Sequence, residues 1–320
     1  MTMKNYPDVA GPDVTSTPAL AGLVTLLRAC HNDKVDSVLL YGSCLRSGDV
    51  YDGLLDIYVI CNSYAEAYQH RLLAIANWML PPNVFYVEMR DTEQPEDRSK
   101  TLRCKVSVIS FKDFQQGCRP ASFESYFWGR FAQPTRILYS SDEGVRCQVE
   151  GCLLEAARTL MVNTLPRLAE WGRLADMWAQ ALDLSYSTEL RTERSGRAAE
   201  LVQQPQEYYA CIAHYHADSL GFPVDIFDER GEPSYYCDIG KIWRWQSAIV
   251  WALRRCQGKI LSVTRLLKAL YTFDGGLDYI AWKLERHTGE KVVIPNKVKK
   301  APLIFMWSFF WSLYRRGLFR

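Results

Sequence analysis

Gly42, Ser43 and Asp56 are the residues of this chain whose types and spacing point most directly to chemistry, and they lie in the stretch SVLLYGSCLRSGDVYDGLLDIYVI, Ser37 to Ile60. An apolar run, Val38 to Tyr41, stops at Gly42-Ser43, and a second run rich in β-formers, Leu54 to Ile60, carries a single carboxylate in its middle. Glycine has no Cβ, so another group can approach its backbone closely. Ser43 offers a hydroxyl and an amide where a following helical turn would aim free N–H groups at a polyphosphate. A carboxylate on the adjacent strand could hold the Mg²⁺ that bridges the same phosphates. Arg46 lies between them. Together these residues read as a cradle for a nucleoside triphosphate, and the bland alternative is a plain strand turn.

The elements that must position them follow from periodicity. Residues 1 to 17 read as a lead, Pro18 to Ala29 as an amphipathic helix, and Ala65 to Trp78 as another helix ended by Pro81-Pro82. Asn83 to Met89 and Leu102 to Ser110 alternate as strands. The expected fold class is α+β, a mixed sheet flanked by helices. Beyond residue 140 the pattern turns helical: Val145 to Thr164, Leu168 to Leu184, Lys241 to Arg255 and Lys259 to Tyr271. Trp171 and Trp178, seven apart, would share one helical face and belong to the core rather than to a base-stacking platform.

Further candidates sit on these elements. Two strands could supply a third polar group to the cradle: one carries Glu88, the other Lys105, which as a point charge suits phosphate or as a solvated side chain suits nothing in particular. SYFWGRFAQPTRIL, Ser125 to Leu138, presents Tyr126 and Arg130; the guanidinium fork fits phosphate, or equally a structural carboxylate. After Tyr186 come Glu189, Arg191, Arg194 and Arg197, dense enough to grip a headgroup phosphate with Glu189 as metal ligand or base, or else a salt-bridged surface helix. His214 and His216 lack a third ligand nearby and read as core or surface residues. Arg254, Arg255 and Lys259 form a basic cluster with no evident partner.

The chain has 320 residues, net charge +2, and an ordinary globular mixture of 48% hydrophobic and 23% charged residues. That length suffices for two cores. Its ten cysteines show no Cys-x-x-Cys and no pairing with His, and read as reduced thiols of a cytosolic protein. The N-terminus resembles neither a secretory signal nor a transit peptide. From Lys297 onward the chain holds basic residues and no acidic one, a cationic end suited to an anionic membrane surface or nucleic acid. Within it Leu303 to Tyr314 is apolar but for Ser308 and Ser312. A helix of that length covers about 18 Å, against a hydrocarbon core of about 30 Å, so it would lie on a bilayer rather than cross it, unless it closes a core.

LYGS with LDIYVI, then VFYVE, LRCKVSVIS, SYFWGRFAQPTRIL and LSYSTELR together resemble, in order and spacing, the blocks of the mitochondrial-type CTP:phosphatidate cytidylyltransferases. These are peripheral CDP-diacylglycerol synthases of the polymerase-β-like nucleotidyltransferase superfamily. Most of that superfamily carries two alternating aspartates where this chain has Asp56 and Tyr58; the resemblance matches the narrower family's single aspartate. It also matches Gly42-Ser43, Lys105, the block Tyr126, Gly129 and Arg130, and the block Leu184, Ser185, Tyr186, Glu189 and Arg191. Gln133 departs from a position that is commonly basic, and Glu189 from one that is usually aspartate.

The resemblance implies a nucleotidyltransferase domain at 1–142, a helical winged-helix-like domain at 143–296 and a membrane-interfacial tail at 297–320. It implies Mg²⁺-dependent cytidylyl transfer from CTP to phosphatidic acid. The protein would then be peripheral on the cytoplasmic face of an anionic membrane, with no nucleic-acid partner. Under it Asp56 holds the metal and is catalytic with Lys105 and Glu189, while Gly42, Ser43, Arg46, Tyr126, Arg130 and Arg191 bind nucleotide or acceptor. Two other classes fit the same cradle: a nucleotidyltransferase with a soluble acceptor, and a catalytically silent nucleotide-binding protein at a membrane. Base preference, acyl preference and oligomeric state leave no mark in the sequence.

Overall fold

Alternating apolar residues fix a five-stranded sheet, and the two sides of that alternation fall into two separate cores. The computed structural model describes residues 17–51, 53–91, 100–190, 197–203 and 205–272, together with Pro295, Val298, Trp311 and Arg315. After the helix α1 (Pro18–Cys30) come β1 (Val35–Tyr41), a short helix α2 (Ser43–Ser47) and β2 (Leu55–Cys61). Helices α3 (Tyr64–Ala67) and α4 (Arg71–Met79) lead to β3 (Asn83–Arg90) and β4 (Thr101–Ser110). Helices α5 (Phe111–Cys118) and α6 (Ser125–Phe131) precede the last strand, β5 (Thr135–Ser140). The strand order is β3-β4-β2-β1-β5, with β2 and β4 parallel and the other neighbours antiparallel. The class is α+β with a mixed sheet, as expected.

On one sheet face Val38, Leu40, Ile57, Val59, Val106 and Val108 pack with α1. On the other, Leu39, Tyr41, Tyr58, Ile60 and Ile109 join the helices that follow. Those are α7 (Glu143–Thr164), α8 (Leu174–Tyr186), α9 (Arg197–Gln203), α10 (Gln206–His216) and α11 (Lys241–Thr272). A three-stranded sheet in the order β6-β8-β7 is built from β6 (Trp171–Arg173), β7 (Val224–Glu229) and β8 (Glu232–Cys237). The second core runs unbroken from Leu39 and Tyr58 through Leu160 and Trp178 to Trp251, so the packing crosses residue 142 without a seam.

Several sequence expectations need correction. Ala65 to Trp78 is two helices, because extended Tyr68 turns its hydroxyl inward to accept from Asn77 and Asn83. Leu168 to Leu184 is helical only from Leu174, since Trp171–Arg173 pairs as a strand with Tyr236 to Ser234. Trp178 is core, as expected, but Trp171 is half exposed on that strand. The separate helices at 241–255 and 259–271 are one helix of 32 residues. The hairpin β7-β8 has no counterpart in the sequence reading. All ten cysteines are free. Among the described residues no helix is long and apolar enough to cross a membrane. The stretch from Leu303 to Tyr314, Trp311 apart, and the residues Arg191 and Arg194 lie outside the described residues.

Candidate functional site

The site forms where the sheet's second face meets α6, α8 and α11. Register places Thr135, Tyr41, Asp56, Lys105 and Tyr86 side by side across five strands. Paired residues share a sheet face, so Asp56 and Lys105 stand on adjacent strands on the side that holds Tyr58 and Tyr41. This settles which strand neighbours Asp56. It is β4 with Lys105, whereas Glu88 lies on the edge strand β3, taken up by the Tyr86 hydroxyl and by Arg103 at 3.5 Å.

Gly42 bends the chain at φ 92° and ψ −157°, a conformation open essentially to glycine alone. It also has no room for a side chain: a Cβ there would sit 2.7 Å from Asp56 Oδ2. The Asp56 carboxylate therefore points at the Gly42-Ser43 bend. Ser43, exposed, starts the single turn of α2, and Arg46 is half-buried in it. Tyr58 fills the place two residues beyond Asp56 and is fully buried against Phe131, with ring centres 4.9 Å apart. An ionised carboxylate there would be expensive to bury unpaired, which gives a physical reason for a single aspartate on this strand.

Across from the sheet, two of the sequence blocks interlock. A Cβ on Gly129 would lie 2.7 Å from the Ser185 side chain, so α6 and α8 touch at that glycine. Ser125 Oγ and Thr188 Oγ1 share a hydrogen bond of 2.7 Å just beside it. This contact carries Arg130 to Glu189: Nη2 donates to the two carboxylate oxygens at 3.0 and 3.4 Å. Arg130 is buried, and Nη1 donates to the Tyr126 carbonyl at 3.3 Å. The buried Gln133 turns back on its own helix, donating to the Gly129 and Arg130 carbonyls.

Two guanidiniums lie over the Tyr126 ring, Arg130 Cζ 3.9 Å and Arg265 Cζ 4.1 Å from its centre. Arg265 belongs to α11 and escaped sequence reasoning. It forms a two-pronged ion pair with Glu124 and donates from Nε to the Pro81 carbonyl at 3.1 Å. One turn on, Lys268 donates to the carbonyls of Leu80 and Pro82. Burial pushes the Tyr126 phenol up, but Arg130, Lys105 and Arg265 outweigh burial and Glu189 and hold it below the ordinary tyrosine value. Burial lowers the Lys268 ammonium to about 7, with Arg265 adding to the effect.

The charges thus divide into two sets. Arg130 with Glu189, and Arg265 with Glu124, are engaged with each other. No ion pair with another described residue occupies Asp56 or Lys105. Among the described residues no three His, Cys, Asp or Glu side chains converge as a metal cage. Asp56 alone at an open bend still fits Mg²⁺, which keeps several waters and takes one or two carboxylates plus substrate phosphates. His216 is buried and His214 exposed, and no metal-ligand group among the described residues includes them.

Neither a scan against protein-family models nor a search of curated proteins finds a match for this chain. Among solved structures it is similar to the crystal structure of a nucleotidyltransferase-like protein from Exiguobacterium sibiricum 255-15, at 11% identity and a TM-score of 0.26. That similarity covers 95% of this chain and 92% of that chain. At that level the likeness carries no argument, and the site rests on its own geometry.

Proposed function

We propose that this chain transfers a cytidylyl group from CTP to the phosphate of phosphatidic acid, releasing pyrophosphate. One observation carries the nucleotidyl-transfer part of the reading. The Asp56 carboxylate is aimed at the Gly42-Ser43 bend beside Lys105, on the sheet face that meets Tyr126 and the two guanidiniums over its ring. CTP and phosphatidic acid as the substrates rest on the family resemblance of the sequence blocks. A winged-helix-like role for α8 to α10 with the β7-β8 hairpin has the same support.

An oxygen of the acceptor phosphate attacks the α-phosphorus of CTP, and the bond from that phosphorus to the oxygen bridging to the β-phosphorus breaks, its electron pair leaving with pyrophosphate. The acceptor is already ionised and needs little general-base help, so catalysis is placement and charge neutralisation. Mg²⁺, when bound, would neutralise triphosphate charge and polarise the α-phosphate. Asp56 would hold it as the single protein carboxylate. Gly42 and Ser43 present backbone and hydroxyl to the β and γ phosphates, with Arg46 close by. Lys105 offsets charge developing on the leaving group. Arg130 and Glu189 act through Tyr126, fixing its ring against the sheet. Arg191 retains only the role the resemblance gives it, at the acceptor phosphate.

The test is incubation of the purified chain with phosphatidic acid vesicles, Mg²⁺ and each of the four nucleoside triphosphates in turn. CTP alone should give CDP-diacylglycerol with one pyrophosphate per product, and Asp56→Asn should lower turnover about a hundredfold or more. Unchanged product formation by Asp56→Asn would refute the reading. Turnover with a soluble acceptor only would remove its lipid part.

A further inference from the structure

Helix α11 has two faces that are reversed with respect to an ordinary surface helix. Its inner row is Arg244, Trp251, Gly258 and Arg265, seven apart. Arg244 Nη1 donates to the Leu168 carbonyl at 2.6 Å and Trp251 Nε1 to the Asn163 carbonyl at 2.8 Å. A Cβ on Gly258 would come within 2.5 Å of the Thr188 carbonyl oxygen. Between these points Arg254 donates to the Phe123 carbonyl and the Asn163 side chain, among the rings of Phe123, Trp128 and Trp251. Charged and polar groups, together with the buried Trp251, therefore hold the helix to the body.

The outer row is apolar. Ile242, Trp245, Ile249, Leu253, Ile260, Val263 and Leu267 follow one another three, four or seven residues apart, with Cys256 in the seven-residue gap. All seven are exposed, from 42% for Ile249 to 70% for Ile242, and Trp243 and Leu266 lie exposed beside them. Monomeric proteins seldom leave so much contiguous apolar surface without a partner. Helix α4 does the same with Leu72, Ile75, Trp78 and Met79, at 51% to 81% exposure. The two meet where Arg265 and Lys268 hold the carbonyls of Leu80 to Pro82 at the end of α4.

The charges on these helices decide what the surface fits. Neither α4 nor α11 contains an aspartate or glutamate. Their exposed charges are Arg71, Lys241, Arg255 and Lys259, all cationic. A second copy of the chain would bring like charges together. An anionic bilayer instead takes the apolar row into its interface, with Trp78, Trp243 and Trp245 at headgroup level and the cations against lipid phosphates. At 32 residues α11 is about 48 Å long, and it is not apolar enough to cross.

We infer that the outer face of α11, with the adjoining face of α4, docks this protein flat on an anionic membrane, so that the helix carrying Arg265 into the site also lies on the lipid. This rests on the proposed function only for its purpose, delivery of a lipid phosphate to the site; the surface itself stands on exposure and charge. It assigns docking to a different part of the chain from the C-terminal tail suggested by the sequence.

The test uses the full chain with Cys30, Cys147 and Cys211 changed to Ser, which leaves Cys256 as the exposed thiol for a polarity-sensitive fluorophore. Mixed phosphatidylcholine–phosphatidylglycerol vesicles should shift the emission to the blue, and phosphatidylcholine alone should not. Co-sedimentation with the mixed vesicles should fall about tenfold or more when Ile249, Leu253 and Ile260 are all replaced by Glu. It should fall about fivefold for each of Arg255→Ala and Lys259→Ala. An aqueous signal on the mixed vesicles, or undiminished sedimentation of the triple variant, would overturn the inference. So would a blue shift without lipid. If that shift rises with protein concentration and the mass by light scattering doubles, the face belongs to a second copy; if it is independent of concentration, the chain's own C-terminal segment covers it. Calorimetry with CTP and Mg²⁺ on the same variants separates the two readings: docking without nucleotide binding would sink the proposed function and leave the surface standing.

Discussion

Replacing Gly42 with alanine probes the cradle at its tightest point. Two costs can be separated. The backbone at φ 92° and ψ −157° lies where only glycine is at ease, and holding another residue there costs about 1–3 kcal/mol. The new methyl would also sit 2.7 Å from Asp56 Oδ2, so the carboxylate must leave the bend; residues in direct contact couple by about 0.5–3 kcal/mol. Gly42→Ala should therefore lose roughly 1.5–6 kcal/mol of stability and, under the proposed function, most of the affinity for CTP with Mg²⁺.

The second cost depends on Asp56, and a double-mutant cycle isolates it. In an Asp56→Ala background the methyl meets no carboxylate, and Gly42→Ala should cost only the backbone part, about 1–3 kcal/mol. Urea unfolding of the wild type, the two single variants and the double variant gives the coupling, and calorimetry gives the nucleotide side. Strict additivity, or a Gly42→Ala protein with native stability and nucleotide affinity, would show that Asp56 does not face the bend, and the assignment of the site would go with it.

Three further outcomes follow from other contacts. Glu189→Gln removes the anion from the buried Arg130 guanidinium and should cost about 3 kcal/mol in urea unfolding, with most of that recovered when Arg130→Met is added. Gly258→Ala should lower the melting temperature, because its Cβ would meet the Thr188 carbonyl oxygen at 2.5 Å; with open space there, alanine in a helix would instead stabilise by about 1 kcal/mol. Lys268 sits near pKa 7 in the fold against 10.5 ordinarily. The folded state therefore releases this proton while the unfolded chain keeps it, and stability should rise with pH from about 7 towards 10; Lys268→Met should flatten that part of the rise in urea midpoints at pH 7 and 9.

Gly42 and Asp56 were legible because their signals are local: a strand period broken by a glycine, then a carboxylate on the next strand. Arg130 and Glu189 could each be singled out, but not paired. Their meeting depends on Gly129 closing on Ser185 in another helix, and no spacing along the chain encodes that approach. Arg265, Glu124 and Lys268 were missed for a different reason. In α11 the apolar row a periodicity reading would bury is the one exposed, while the row that packs is built from arginines, a tryptophan and a glycine. The two helices expected at 241–255 and 259–271 leave Gly258 between them, whereas it lies inside one helix, packed directly against the Thr188 backbone. Trp171 misled in the same way, its strand pairing being set by Tyr236 far along the chain.

The surroundings of the Tyr126 phenol show how the site's charges are arranged. Counted by formal charge, Arg130 and Arg265 are cancelled by Glu189 and Glu124, and Lys105 by Asp56, so net charge alone predicts no pull on an anion. Position matters more than the count. The guanidinium carbons of Arg130 and Arg265 lie 3.9 and 4.1 Å from the ring centre, close enough for an appreciable Coulombic interaction, and the glutamates are bound to those guanidiniums. The phenol is accordingly held below the ordinary tyrosine value although burial pushes it up. The same Coulombic interaction would act on any anion close to that ring. The arginines can therefore favour an anion near Tyr126 while their own ion pairs stay intact, and under the proposed function Asp56 and Lys105, which form no ion pair with a described residue, are the groups left to take up metal and phosphate.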